Sequence, residues 1–260
     1  HKLYVLEISS FQLETTSALG AEVACVLNVS ADHMDRYDSI QDYHSAKHRI
    51  FQACKKAVIN RDDPLSNALL PDSVKRLQYG LGEGDINEFG LVEEQGETYL
   101  AFNQQVLMPA ADVKIAGRHN LSNALAALAI GHASGLNMQS MLQTLRQFSG
   151  LPHRCQWVAE IAGVNYYNDS KGTNVGACNA ALLGLGKVNN VILIAGGQGK
   201  GGDFSMLEAA LKAHGKLLIV LGEDADQIEL ALDKIIKTYK VGSLQEAVML
   251  ASEQAKTGDT

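Results

Sequence analysis

Val23-Ala24-Cys25-Val26-Leu27-Asn28-Val29-Ser30-Ala31-Asp32-His33-Met34-Asp35-Arg36-Tyr37 passes from an apolar run directly into a charged loop. Val23 to Leu27 reads as a buried strand, and in α/β sheets ligands bind just outside strand ends. Two carboxylates, an imidazole and a guanidinium fall within the five residues Asp32 to Arg36. Such groups are expensive to bury, so a bound ligand explains them better than a core does. His33 can ligate a metal or hold an anion, with Asp32 or Asp35 orienting its ring. A solvated loop with an accidental cluster of charge is the competing reading.

Working outward, Leu3 to Ile8 is a second apolar, β-prone run, with one carboxylate, Glu7, near its end. In a parallel sheet Glu7 and His33 would lie at one edge, one strand apart. A carboxylate and an imidazole converging there suit a divalent metal whose other ligands are substrate phosphates. The alternative for Glu7 is an edge-strand carboxylate facing water. A helix fits Ser39 to Cys54 and puts Lys47 close to the stripe formed by Ile40, Tyr43, Ile50 and Phe51. A lysine buried there would lose its proton easily. A snorkelling lysine with its stem along the core is the other account.

The chain has 260 residues, room for two domains, and a typical apolar content of 46%. A net charge of −7 argues against nucleic-acid binding by phosphate neutralisation. No run of eighteen apolar residues occurs, so no membrane-spanning helix is expected. Cys25, Cys54, Cys155 and Cys178 lack CxxC spacing and read as reduced thiols of a cytoplasmic protein. The chain opens without Met inside a strand signal and stops just after a helical pattern, so a fragment of a longer protein is expected.

Strands are expected at 3–8, 23–28 and 56–60, then a small β excursion over 80–104. Gly117-Arg118-His119-Asn120-Leu121-Ser122-Asn123 leads into an alanine- and leucine-rich helix. Asn120 suits the N-cap, and Asn123 would face whatever binds that terminus. Capping alone also accounts for Asn120. A helix expected to end at Gly150, with Pro152 blocking its continuation, marks the domain boundary. Residues 1–149 form one domain and 150–260 the next. After it come a hairpin, Trp157–Ala162 with Val164–Tyr167, and the loop Asn168-Asp169-Ser170-Lys171-Gly172-Thr173-Asn174 ahead of a helix from Val175 to Leu185. Hydroxyls, amides and a cation at a helix N-terminus suit an anionic ligand, although an elaborate cap is the plainer account.

Asn190 to Ala195 is a buried strand, followed by Gly196-Gly197-Gln198-Gly199-Lys200-Gly201-Gly202-Asp203-Phe204-Ser205. Gly197, Gly199 and Gly202 satisfy GxGxxG, and Glu223-Asp224 ends the next strand, Leu217 to Leu221, near where a ribose-binding acid belongs. That is the pattern of a nicotinamide-dependent oxidoreductase using residues 197–202. Against it, the helix starts only after Asp203-Phe204-Ser205, and Lys200 suits a phosphate or carboxylate better than a hydride carrier.

Taken in order, Leu6-Glu7-Ile8-Ser9-Ser10-Phe11-Gln12-Leu13, Asn28 to Tyr37, Ser45-Ala46-Lys47, Gly117 to Asn120, Gly150 to Arg154, Asn168 to Asn174 and Gly196 to Ser205 resemble the Mur ligases of bacterial cell-wall synthesis. They span nearly the whole chain. The Asp-His-Met-Asp element is shared across these ligases and, more loosely, with folylpolyglutamate synthases. Gly-Leu-Pro-His-Arg and Asn-Asp-Ser-Lys-Gly-Thr-Asn point to the branch that adds D-glutamate.

The resemblance implies an α/β fold: part of a central P-loop-type ATPase domain, then an incomplete Rossmann-like C-terminal domain. It implies an ATP-dependent ligase, monomeric when complete, that adds D-glutamate to UDP-N-acetylmuramoyl-L-alanine through an acyl phosphate. By matching position, Glu7 and His33 would be magnesium-site residues. Lys47 would be carbamylated, its carbamate helping to hold a second Mg²⁺. Asn120, Asn123 and Arg154 would contact ATP, and Asp169 its ribose region. Lys171, Thr173 and Lys200 would hold D-glutamate. Departures bear on activity: no GxxxxGK[ST] phosphate loop occurs in these residues, and Gln198 stands where some relatives have aspartate. The 260 residues alone are therefore expected neither to bind ATP tightly nor to ligate. A folylpolyglutamate synthase-like ligase, the oxidoreductase and a non-catalytic binding module are the alternatives.

Overall fold

The computed structural model describes residues 3–115, 117–199 and 201–260. They fall into two units: residues 1–30, 36–114 and 121–148 in the first, and 31–35, 115–120 and 149–260 in the second. The class is α/β, as expected.

The first unit is built on a six-stranded sheet in chain order: β1 (Val23–Val26), β2 (Lys56–Asn60), β3 (Lys75–Tyr79), β4 (Glu88–Glu94), β5 (Glu97–Phe102) and β6 (Gln105–Pro109). β1 to β4 pair in parallel; β4, β5 and β6 are antiparallel. Ala57, Val58 and Ile59 on β2 are buried in succession, the signature of a strand covered on both faces. The β4–β5 turn uses Gln95 and Gly96 at φ 53° and 83°, both in the left-handed region that a tight two-residue hairpin demands. Its helices are α1 (Ser10–Glu14), α2 (Ile40–His48), α3 (Arg118–Ala133) and α4 (Met138–Gln147). Leu125, Leu128 and Ala129 of α3 are buried, as are Phe89, Leu100 and Leu142.

The second unit carries a parallel three-stranded sheet, ordered β11-β10-β9, and an antiparallel hairpin, β7 (Gln156–Ile161) with β8 (Val164–Asn168). β9 is Val191–Gly196, β10 Gly215–Leu221 and β11 Thr238–Lys240; α5 (Val175–Leu185), α6 (Glu208–His214), α7 (Ala225–Leu232) and α8 (Leu244–Gln254) alternate with them. β10 shows why helices cover both faces. Leu218 and Val220 pack with Val175, Leu182, Leu211 and Leu232, whereas Leu217 and Ile219 pack with Ala247 and Ala251. Side chains alternate across a strand, so a strand that is apolar throughout needs cover on each side. The last residues lie along β9, with Thr260 accepting from the Ile192 N–H at 2.8 Å and donating to Asn190 at 2.9 Å. No helix among the described residues is long and apolar enough to cross a membrane.

Several sequence expectations are corrected. Residues 3–8 are not a strand: no described strand pairs with them, and Tyr4, Val5 and Leu6 are exposed. β-propensity alone does not make a strand without a partner for its backbone groups. Glu7 is therefore exposed and not on a sheet edge. The helix expected over 39–54 ends at His48, and its last turn tightens to a 3₁₀ turn at Arg49–Phe51, with Arg49 donating to Leu13 O at 2.7 Å and Thr16 O at 3.0 Å. Asn120 is not an N-cap: α3 begins at Arg118, and the Asn120 N–H already bonds the Gly117 carbonyl at 2.9 Å. The helix before Gly150 stops at Gln147. β3, β6, α7 and β11 were not foreseen.

Candidate functional site

In the first unit, Ser39 caps α2 by accepting the Asp42 N–H at 3.2 Å, and Lys47 projects from its last turn. Lys47 is half-buried rather than buried, with Nζ 4.8 Å from the centroid of the Tyr43 ring. Tyr43 is itself buried against Tyr37, ring centroids 5.1 Å apart. Glu7 precedes α1, whose N-terminus carries a reciprocal cap: Ser9 Oγ accepts the Gln12 N–H, and Gln12 Oε1 accepts the Ser9 N–H at 2.9 Å. Asn123 is exposed near the start of α3; Asn120, three residues earlier in the chain, falls in the second unit.

In the second unit, His33 holds a left-handed backbone, φ 57°. Its N–H donates to Asp32 Oδ1 at 2.9 Å, and its Nε2 lies 3.8 Å from Asp32 Oδ2. Asp32 thus holds the His33 backbone, and its carboxylate lies near the ring but beyond hydrogen-bonding distance. Asp32 is further bound by the Asn174 side-chain amide at 3.0 Å.

Asp169 is half-buried, and its Oδ1 accepts the Cys155 N–H at 2.9 Å. Burial, reinforced by the Asp169 carboxylate beside it, pushes the Cys155 thiol up to about 12. The Asp169 carbonyl accepts the Gly172 N–H at 2.8 Å, and the Lys171 N–H bonds His153 O at 2.9 Å, so the loop is folded back on the hairpin base. Lys171, Thr173 and Arg154 are exposed on it. The loop's amides are donated within the protein, so what it exposes to an anion is the Lys171 and Arg154 cations and the Thr173 hydroxyl. Lys200 lies outside the described residues.

The glycine-rich loop is not shaped as a dinucleotide cradle. The Gly199 N–H is already donated to the Asp224 carboxylate, and Gln198 Nε2 bonds Glu223 at 2.8 Å. A Cβ on Gly199 would lie 2.3 Å from the Phe204 ring, and one on Gly202 2.9 Å from Val175. These glycines make room for neighbouring side chains, and the loop continues into a 3₁₀ turn at Phe204–Leu207 rather than an α-helix.

One residue without an assigned role from sequence is His119. Its ring fills the gap between Gly117 and Gly184; burial pushes its pKa down, so the ring is held neutral. The signal for it was present: a glycine inside α5, where glycine is disfavoured, marks a close approach.

Comparison with known proteins accounts for both units. Residues 1–131 match the Mur ligase middle domain, and residues 153–260 match the Mur ligase, glutamate ligase domain. A UDP-N-acetylmuramoylalanine–D-glutamate ligase of Pseudomonas fluorescens is 54% identical over 260 residues, 99% of this chain and 58% of that protein. The protein of that name from Pseudomonas aeruginosa is 52% identical over the same shares. The chain thus spans 58% of the length of these relatives. Among solved structures, MurF ligase from Thermotoga maritima in complex with ADP superposes with a TM-score of 0.70 at 20% identity, covering 92% of this chain and 57% of that one, a likeness of fold. The chain belongs to the Mur ligase family, and its residues make up middle and C-terminal Mur ligase domains.

Proposed function

We propose that this chain is part of a cytoplasmic, monomeric, ATP-dependent ligase that joins D-glutamate to UDP-N-acetylmuramoyl-L-alanine through an acyl phosphate. The observation that carries the reading is 54% identity, over 99% of the chain, to a D-glutamate ligase of this kind. Residues 1–149 form the latter part of the ATPase domain and 150–260 the amino-acid-binding one.

The residue roles are those that the family resemblance implies, by matching position. Asn120, Asn123 and Arg154 contact ATP, and Asp169 takes its ribose region. Exposed Lys171 and Thr173, with Lys200, hold the two carboxylates of D-glutamate, since a dianion needs fixed cations. Glu7 and His33 serve Mg²⁺. Among the described residues no group of three or more His, Cys, Asp or Glu side chains is placed to hold a metal. Few protein donors fit Mg²⁺, which keeps waters and takes phosphate oxygens. Mg²⁺ would neutralise phosphate charge during transfer, and Lys47, as a carbamate, would supply a further anionic ligand. Asp32, accepting the His33 N–H, holds the backbone from which that histidine would reach a metal.

The occupied Gly199 amide disfavours the oxidoreductase alternative, and the acceptor separates the folate-type ligase from this one. The test uses the full-length protein containing this chain. Phosphate release is followed with ATP, Mg²⁺ and UDP-N-acetylmuramoyl-L-alanine, adding D-glutamate, L-glutamate or L-lysine in turn. Release with D-glutamate alone supports the reading; silence with all three from folded protein removes it.

A further inference from the structure

The side chain of Asn174 makes two bonds at once. Its Oδ1 accepts the Ala177 N–H at 2.8 Å and caps α5, while its Nδ2 donates to Asp32 Oδ2 at 3.0 Å. Asp32 passes the restraint on, because its Oδ1 accepts the His33 N–H at 2.9 Å. His33 needs such support: a β-carbon-bearing residue at φ 57° sits in a sparsely populated conformation that persists only where its surroundings hold it. Asp32 is well covered, its side chain 17% exposed, so its oxygens depend on protein donors.

The choice of asparagine is informative. Serine, threonine or aspartate would cap α5 equally well. Only asparagine places an acceptor and an N–H donor side by side on so short a stem, one for the helix and one for a carboxylate. We infer that Asn174 is a positioning residue that anchors the Asp32–His33 loop to the N-terminus of α5, acting on the reaction through His33 without touching substrate. The inference rests on the reading of His33 as a metal-site residue, but the anchoring is testable apart from it.

The experiment uses the full-length protein with three variants: Asn174→Ser, which keeps the cap and loses the amide donor; Asn174→Asp, which keeps the cap and sets a carboxylate against Asp32; and Asn174→Asp combined with Asp32→Asn, which restores a donor–acceptor pair with the roles exchanged. Hydrogen–deuterium exchange over residues 30–37, without metal or nucleotide, should speed up about fivefold in both single variants, the effect of losing one ordinary hydrogen bond. Exchange in the double variant should return toward wild type. The Mg²⁺ concentration for half-maximal phosphate release should rise in parallel, with little change in the KM for D-glutamate. Unchanged exchange over 30–37 in Asn174→Ser, or a double variant no better than Asn174→Asp alone, overturns the anchoring. If wild-type protein releases no phosphate with D-glutamate, the functional reading falls while exchange still decides the anchor.

Discussion

Gly184 leaves open the space that the His119 ring occupies: a Cβ there would lie 2.3 Å from His119 Nδ1 and 2.8 Å from its Cε1. Gly117 makes room on the other side, its φ of 103° lying in the region that favours glycine and its own Cβ position 2.7 Å from Cε1. The histidine therefore locks residues 117–119 against the last turn of α5, within the second unit, by shape. Gly184→Ala would raise the intrinsic helix propensity of α5 yet force the ring out. The expected outcome is net destabilisation of about 1–3 kcal/mol, the usual result of overpacking. Denaturant unfolding of wild type and variant checks it, and a stabilised variant would contradict the packing.

The pH dependence follows from His119 and His48, whose pKa values are both pushed down chiefly by burial; for His48 the facing His44, ring centroids 3.8 Å apart, adds to it. Both rings stay neutral in the folded chain and protonate on unfolding, where their pKa is about 6.5. Stability from this source is whole above that value and falls as pH drops toward 5, with protons taken up on unfolding. Carboxylates held low, such as Glu14 beside Arg36, act only below about pH 4.5 and leave the window to the histidines. Unfolding midpoints at pH 7.5, 6.5 and 5.5 should decline in that order, and His48→Asn should flatten the decline.

Thiol chemistry should be slow. Burial pushes Cys25 and Cys155 up to about 12 and Cys178 to about 11. At pH 7.5 fewer than about one thiol in 10³ at each position is then the reactive thiolate. Alkylation mapped by peptide mass should leave these three unmodified in native protein and modify them fully in guanidinium.

The core prediction concerns Leu218, fully buried on β10 among Val175, Leu182, Leu211 and Leu232. Leu218→Ala should cost about 2–5 kcal/mol, the range for a buried leucine whose cavity cannot collapse, read as a lowered unfolding midpoint.

Lys47→Ala should separate chemistry from folding. The side chain is half-buried, and its contact with Tyr43 is worth only about 0.5–1 kcal/mol, so the thermal midpoint should move little. In the full-length protein, D-glutamate-dependent phosphate release should fall by about 10²-fold or more, as when a group stabilising transition-state charge is removed. Full activity in the variant would remove Lys47 from the site.

The sequence by itself determined the elements whose signals are local. β2, β9 and β10 carry the apolar runs Ala57 to Ile59, Val191 to Ala195 and Leu217 to Leu221, α5 follows a capping asparagine, and the β7–β8 hairpin turns on Ala162 and Gly163 at φ 52° and 76°. Apolar patterning, caps and turn residues act within a few positions, so they can be read along the chain. The candidate-site loops stood out for the same reason, since costly polar clusters at strand and helix ends contrast with an apolar background. Tertiary structure alone decided what depends on distant partners. Residues 3–8 have strand composition but no described strand beside them; α3 starts at Arg118 because the Gly117 carbonyl takes the Asn120 N–H; His119 has a place only because Gly184 is absent of side chain. Asp32 accepts the His33 N–H, and the amide that holds Asp32 comes from Asn174, 142 residues along the chain. Hydrogen bonds and packing of that range are set by the folded backbone, and no local pattern encodes which of two neighbouring carboxylates will meet its partner.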